Sequence, residues 1–250
     1  MVLVAVAAVL LVAVLLLVGG HPSGALAPAA GSGAASNERP LALIYRNPPL
    51  ADKDDAADAA AMLQASPYQF RIQYVGPNDL TAELLNQAAL FVEPGGEVET
   101  ETAKEDFAHE IPLVNQYVAE GGRYLGICAG GFVAGEEGYD VFPGRVGSYV
   151  DSAGAEAESD KDQAIQIIWR DGSKRTVDFQ DGNYFAIPPG TPGVTVMATY
   201  TNGLPAAAVA AHGKGKSAFI GPHFESAPDD DSDDHTNFGL DFELLDVLMR

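Results

Sequence analysis

Gly121-Gly122-Arg123-Tyr124-Leu125-Gly126-Ile127-Cys128-Ala129-Gly130-Gly131 holds the only cysteine of the chain, and its reading decides the fold. Gly122 to Ile127 is short, mostly apolar and opened by a Gly-Gly turn, the pattern of a strand buried on both faces. Ala129 to Ala134 is small and apolar and starts a helix. Cys128 is therefore expected on a tight strand-to-helix turn, its side chain raised at the carboxyl edge of a sheet. Glycines on either side relieve the crowding of such a turn. This is the nucleophile-elbow pattern with cysteine in place of serine. A helix N-terminus beside the sulfur favours the thiolate, the reactive form. The competing reading is a small buried core cysteine, the commonest fate of a lone Cys. Partner residues elsewhere have to decide between them.

Upstream, Leu41 to Tyr45 is a buried-strand run, followed by the loop Arg46-Asn47-Pro48-Pro49. Asp52 to Gln64 reads as an alanine-rich helix with acids in its first turns, where they suit the helix dipole. Phe70 to Val75 alternates as a strand. Asp79 or Thr81 is placed to cap a short helix running to Asn86. Ala88 to Val92 is another strand, closed by Glu93-Pro94-Gly95-Gly96. Pro112 fits the first turn of a helix with Ile111, Val114 and Val118 on one face and Gly121 as its stop. The alternation β-α-β-α-β-α-β predicts an α/β, flavodoxin-like parallel sheet flanked by helices. Ligands of such sheets bind beyond the carboxyl ends of the strands, which puts Arg46, Asn47, Gly95 and Gly130 among the expected pocket residues.

Downstream, 145–150, 164–170, 175–180, 183–187 and 194–199 read as short strands, with Asp171-Gly172 as a hairpin turn. They predict an antiparallel β excursion laid against the main sheet. Pro205 to Ala211 and Lys216 to Ile220 form a further hairpin around Gly213 and Gly215. Asn237 to Arg250 closes as a helix with Phe238, Phe242, Leu245 and Met249 on one face.

Lys and Arg number 14 against 35 Asp and Glu, a formal charge of −21. Such a surface repels phosphate backbones and anionic headgroups, which excludes nucleic acid as an expected partner. Met1 to Val18 contains no polar side chain, and a Gly, Ala, Ser and Pro-rich stretch follows. The expected organisation is a signal peptide or membrane anchor in residues 1–25, a flexible linker in 26–39 and one folded domain in 40–250. The protein is expected to be exported, or tethered by residues 1–18.

His223 and Glu225 are the partners the cysteine needs. Two residues apart on an extended segment after a strand, they point the same way. Glu225 then holds one imidazole nitrogen while the other faces Cys128, the nucleophile, base and orienter arrangement.

Three segments carry a resemblance: Gly95-Gly96, then G-G-R-Y-L-G-I-C-A-G-G, then G-K-x-x-x-I-G-P-H-F-E. They resemble the class I glutamine amidotransferase-like superfamily, and more closely the stand-alone domain named after the N-terminal region of biotin-protein ligase. Tyr74 to Pro77, Phe179 to Phe185 and Thr199 to Ala207 are similar to segments of exported fungal and bacterial members. The resemblance implies Cys128 as nucleophile, His223 as base, Glu225 as its orienter, and the N–H groups of Gly96 and Ala129 as an oxyanion hole. Two positions depart from it. Gly131 stands where glutaminases of the superfamily carry Gln, and His-Phe-Glu replaces His-Pro-Glu. No ammonia-accepting synthase sequence and no biotinyl-adenylate loop accompany the motifs, so neither amidotransferase nor biotin ligase chemistry is expected.

The expected activity is amide or ester hydrolysis through a thioester. The alternative is a non-catalytic ligand- or partner-binding module that keeps the fold and pocket. No cofactor and no metal are expected. The acidic loop 229–235 lacks the glycine and glutamate of a calcium loop and reads as solvated. His21, His109 and His212 have no metal-like company.

Overall fold

Buried apolar runs and short capped helices build an open sheet whose carboxyl edge carries every expected site residue. In the computed structural model, residues 39–99, 102–188, 190–226 and 238–250 are described. They belong to one compact unit, Glu38–Arg250. The leader of 1–25, the linker up to residue 38 and the loop 229–235 lie outside the described residues.

The first half runs β1 (Leu41–Tyr45), α1 (Lys53–Ala65), β2 (Arg71–Val75), α2 (Ala82–Leu85), β3 (Leu90–Glu93), α3 (Ala103–Asp106), α4 (Glu110–Ala119), β4 (Arg123–Ile127) and α5 (Ala129–Val133). The second half adds β5 (Arg145–Ser148), β6 (Gln163–Trp169), β7 (Lys174–Phe179), β8 (Asn183–Ala186), β9 (Val194–Tyr200), β10 (Pro205–His212), β11 (Gly215–Ile220) and α6 (Phe238–Met249). Local chemistry sets the ends. The Asp52 carboxylate caps α1 by accepting from the Asp54 N–H at 2.7 Å. Thr81, rather than Asp79, caps α2 through the Leu84 N–H at 3.2 Å. Gly121, at φ +127°, stops α4 in a backbone region that glycine enters without strain. The turn α3 is an addition to the expected alternation, one short helix ahead of α4.

Nine strands form one sheet in the order β2-β1-β3-β4-β11-β10-β9-β6-β7. The pairs β2/β1, β1/β3, β3/β4 and β4/β11 are parallel, whereas β10, β9, β6 and β7 continue the sheet antiparallel. Each inner strand feeds two cores. Ala42 and Ile44 of β1 pack with α1, while Leu41, Leu43 and Tyr45 pack on the other face with Val114 and Val118 of α4. A strand buried on both faces has to be apolar throughout, which is what made these runs legible.

The antiparallel β excursion after the elbow is present as expected, but it joins the sheet by its edge. β9, β6 and β7 extend the main sheet edge to edge instead of lying against it, and only the β5–β8 pair stands apart. Hydrogen bonding to the open edge of β10 satisfies backbone groups that face packing leaves unpaired. The closing helix also turns a different side inward: Leu240, Asp241, Leu244, Leu245 and Leu248 are buried, with Phe242 and Met249 only partly so. Glu243 fixes that rotation, accepting from Trp169 Nε1 at 2.6 Å and pairing with Arg170 at 2.6 Å.

Candidate active site

Cys128 follows β4 directly, with φ +48° and ψ −107°. A non-glycine residue rarely occupies that region, and holding it there costs on the order of 1–3 kcal/mol. The turn is clamped from several sides. Cys128 N–H donates to Ile220 O at 2.8 Å, and Tyr124 Oη donates to Gly130 O at 2.7 Å. A Cβ on Gly130 would collide with Glu93 O, so glycine alone lets the turn pass so close to the end of β3.

His223 comes in on the segment after β11. Its backbone N–H donates to Asp178 O at 2.8 Å, and its side chain is 4 % exposed. Its Nδ1 donates to Glu225 Oε1 at 2.9 Å, with Glu225 itself buried. Burial alone would depress the imidazole pKa, but the negative charges of a Cys128 thiolate and of Glu225, with the Glu225 hydrogen bond, outweigh it. The net direction is well above the ordinary histidine value, so the imidazolium is favoured. Nε2 interacts with Cys128 but makes no well-aligned hydrogen bond. The thiol itself donates to Gln180 O at 3.4 Å.

Cys128 and His223 line one cavity of about 490 Å³ together with Gly96, Ala129, Phe132 and Gln180. Among the described residues, the N–H groups of Gly96 and Ala129 are not paired with backbone carbonyls. Gly95 lies behind the wall, where the Asp55 carboxylate and His223 Cε1 occupy the space of a side chain. Arg46 stacks over Tyr74 at 5.5 Å, and Asn47 bridges to Ala51, so both sit away from the cavity lining. Gly130 underlies the elbow without bordering the cavity.

Three residues the sequence reading left unassigned belong here. Asn183, on β8 and fully buried, donates Nδ2–H to Cys128 O at 2.6 Å, and its own carbonyl accepts from Tyr200 Oη at 2.6 Å. Gln180 receives the thiol. Asp55, on α1, has its pKa pushed up to about 6 by burial first; His223 opposes that, and Glu225, Asp52 and Asp58 add to it. Gln180 and Asn183 fall inside the Phe179 to Phe185 segment, so the resemblance pointed at the stretch without giving their roles. Asp55 gave no signal beyond being one of several acids in the first turns of α1.

Asn183 also accounts for Gly131. A Cβ at position 131 would lie 2.7 Å from both polar atoms of the Asn183 side chain. A glutamine there has no room while Asn183 holds the elbow.

A mixed sheet with helices on both faces and a cysteine on the strand-to-helix turn gives this chain the fold of solved glutamine amidotransferases. Solved structures agree with this fold. A glutamine amidotransferase from Thermotoga maritima superposes with a TM-score of 0.58 at 14% identity, covering 85% of this chain and 99% of that one. A second glutamine amidotransferase gives 0.56 at 17% identity, covering 83% and 98%. One from Methylobacillus flagellatus gives 0.52 at 13% identity, covering 76% and 71%. Residues 43–141 match the family model described as biotin-protein ligase, N terminal. The match includes Cys128 and ends before His223. No curated protein matches in sequence.

Proposed function

We propose that the chain is an exported hydrolase that opens an amide or ester through a thioester on Cys128. The observation that carries this reading is the meeting of Cys128 with the buried His223–Glu225 pair at one cavity. In this mechanism the Cys128 thiolate attacks the carbonyl carbon. The N–H groups of Gly96 and Ala129 receive the charge that develops on oxygen. His223 then protonates the leaving amine or alcohol as its bond to carbon breaks. Water, deprotonated by His223, attacks the thioester and releases the acid and the thiol. Glu225 keeps the imidazole in the tautomer and orientation both steps need. The apolar stretch 1–18 supports export or tethering, and a full-length chain found soluble in the cytoplasm on fractionation would refute that part.

A second reading has its own observation. The Cys128 thiol donates to Gln180 O rather than to His223, as a resting thiol in a ligand-binding pocket does. The discriminating experiment is the iodoacetamide alkylation rate of Cys128 against pH, in wild type and His223→Ala. Catalysis requires a profile whose midpoint lies well below the ~8.5 of a free thiol, shifting up when His223 is removed. Coincident profiles near the free-thiol value leave the binding module standing.

A further inference from the structure

We propose that the cavity beside Cys128 takes a substrate bearing an organic cation, an ammonium or guanidinium group, close to the carbonyl that is attacked. This rests on the hydrolase reading for the reaction, but the charge preference is measured separately from it.

Six of the fourteen residues lining the cavity are Asp or Glu, and none is Lys or Arg. Over the whole chain acids are only 35 of 250 residues, so the net charge of −21 does not by itself produce such a wall. The six come from four separate stretches: Asp52 and Asp55 at the start of α1, Glu97 and Glu99 after β3, Asp160 before β6, and Asp181 after β7. No described ion pair involves any of them. The His223 imidazolium is the one positive group among these lining residues, and the excess of carboxylates around a partly desolvated cleft sums to a strong negative potential. Asp181 reports that field: burial raises its pKa first, and Asp160, Asp151 and Glu99 raise it further.

An independent feature marks the cavity as a ligand site. His223 is 4 % exposed, yet among the described residues its Nε2 has no hydrogen-bond partner, and the residue borders this space with Cys128. A buried polar atom left open toward a cavity is satisfied by what binds there. Among the described residues, no three His, Cys, Asp or Glu side chains group closely enough to hold a metal ion. Carboxylates spread around a wall suit a diffuse organic cation better than a compact one. Pro49, Val98 and Phe132 add apolar surface against which an alkyl stem can lie.

The experiment compares methanethiosulfonate reagents of similar size carrying a trimethylammonium, a neutral methyl or a sulfonate group. In each the thiolate attacks the sulfenyl sulfur, a mixed disulfide forms and methanesulfinate leaves. Rates at Cys128 are divided by those for a free small thiol, which removes intrinsic reactivity. The cationic reagent is expected to exceed the anionic one by about tenfold or more at low salt, with the ratio shrinking in 0.5 M NaCl. Glu97→Gln/Glu99→Gln/Asp160→Asn/Asp181→Asn, all exposed rim acids, collapses the ratio. Neutralising four exposed acids away from the cavity (Glu83, Glu105, Glu120 and Glu136, each to Gln) leaves most of it.

Protection of Cys128 from iodoacetamide is then measured. Nα-acetyl-lysine methylamide protecting better than spermidine assigns the cation to a peptide side chain, and the reverse assigns it to a free polyamine. Protection by calcium but by neither organic cation overturns the proposal, as does a ratio near one or a ratio equally lost in the distant variant. His223→Ala lowers every rate if the hydrolase reading holds, while keeping or raising the charge ratio, because a positive group leaves the cavity. The two ideas therefore fail separately.

Discussion

Cys128 occupies a backbone conformation that suits glycine, and the fold holds a reactive side chain there instead. Relieving that strain is expected to stabilise the protein while removing its chemistry, the usual opposition between stability and a working site. Cys128→Gly should therefore unfold at higher denaturant, by on the order of 1 kcal/mol, and take up no iodoacetamide. Denaturation at constant m-value checks it. Equal or lower stability means that the packing of the 7 % exposed sulfur outweighs the strain. His223 poses a different problem, since it is buried and yet favoured in its charged form. Only negative neighbours at close range make that possible, and Glu225 supplies a hydrogen-bonded one.

At the scale of elements, the elbow is assembled by β3, β4, β8 and β11 together. β8 is the least obvious contributor, because it pairs only with β5 and lies outside the main sheet. It nevertheless delivers Asn183 onto the carbonyl of Cys128. Asn183→Ala strands that carbonyl in a buried place and opens a small void. The expected loss is about 1–3 kcal/mol of stability, with slower alkylation of Cys128 as the elbow loosens. Gly131→Gln should cost a similar amount by forcing Asn183 aside, since overfilling a packed site displaces its neighbours. Combining Gly131→Gln with Asn183→Ala should recover part of the loss, because the two side chains compete for one space. A double-mutant cycle with no coupling would falsify this account of why glycine stands at 131.

For the whole molecule, two buried carboxyls set the response to pH. Among the described residues, Asp241 on α6 has no partner for either carboxyl oxygen; burial first, then Glu225, raises its pKa well above the ordinary value. Glu93 is raised likewise by burial, with Glu110 adding to it and the hydrogen bond from Tyr139 opposing it. The folded state then binds more protons than the unfolded chain at any pH between about 4 and the raised values. Stability contributed by these groups is full below that window and falls as pH rises through it. Asp241→Asn removes one such group without changing its shape. Its thermal midpoint should match wild type near pH 4 and lie above it at pH 8. A constant offset across that range would assign Asp241 to packing alone.

What the sequence determined by itself is the periodic part. β1 is apolar throughout, and β3 and β4 are apolar but for Glu93 and Arg123 at their ends, because both faces are buried, so their runs, the helices between them and the tight turn at Cys128 were legible residue by residue. The spacing of His223 and Glu225 was legible for the same reason, since a two-residue step on an extended segment fixes a common direction. Contacts between distant stretches carry no such period. The sequence marked β6, β7 and β9 as strands, but only the open edge of β10 decided that they extend the sheet. The inward face of α6 was set by Glu243 meeting Trp169 and Arg170, more than 70 residues away along the chain. Asn183 against Gly131, and Asp55 and His223 on either side of Gly95, are likewise brought together by separate elements converging on one turn. Chain distance hides such pairs, and tertiary packing alone brings them within hydrogen-bonding or van der Waals reach.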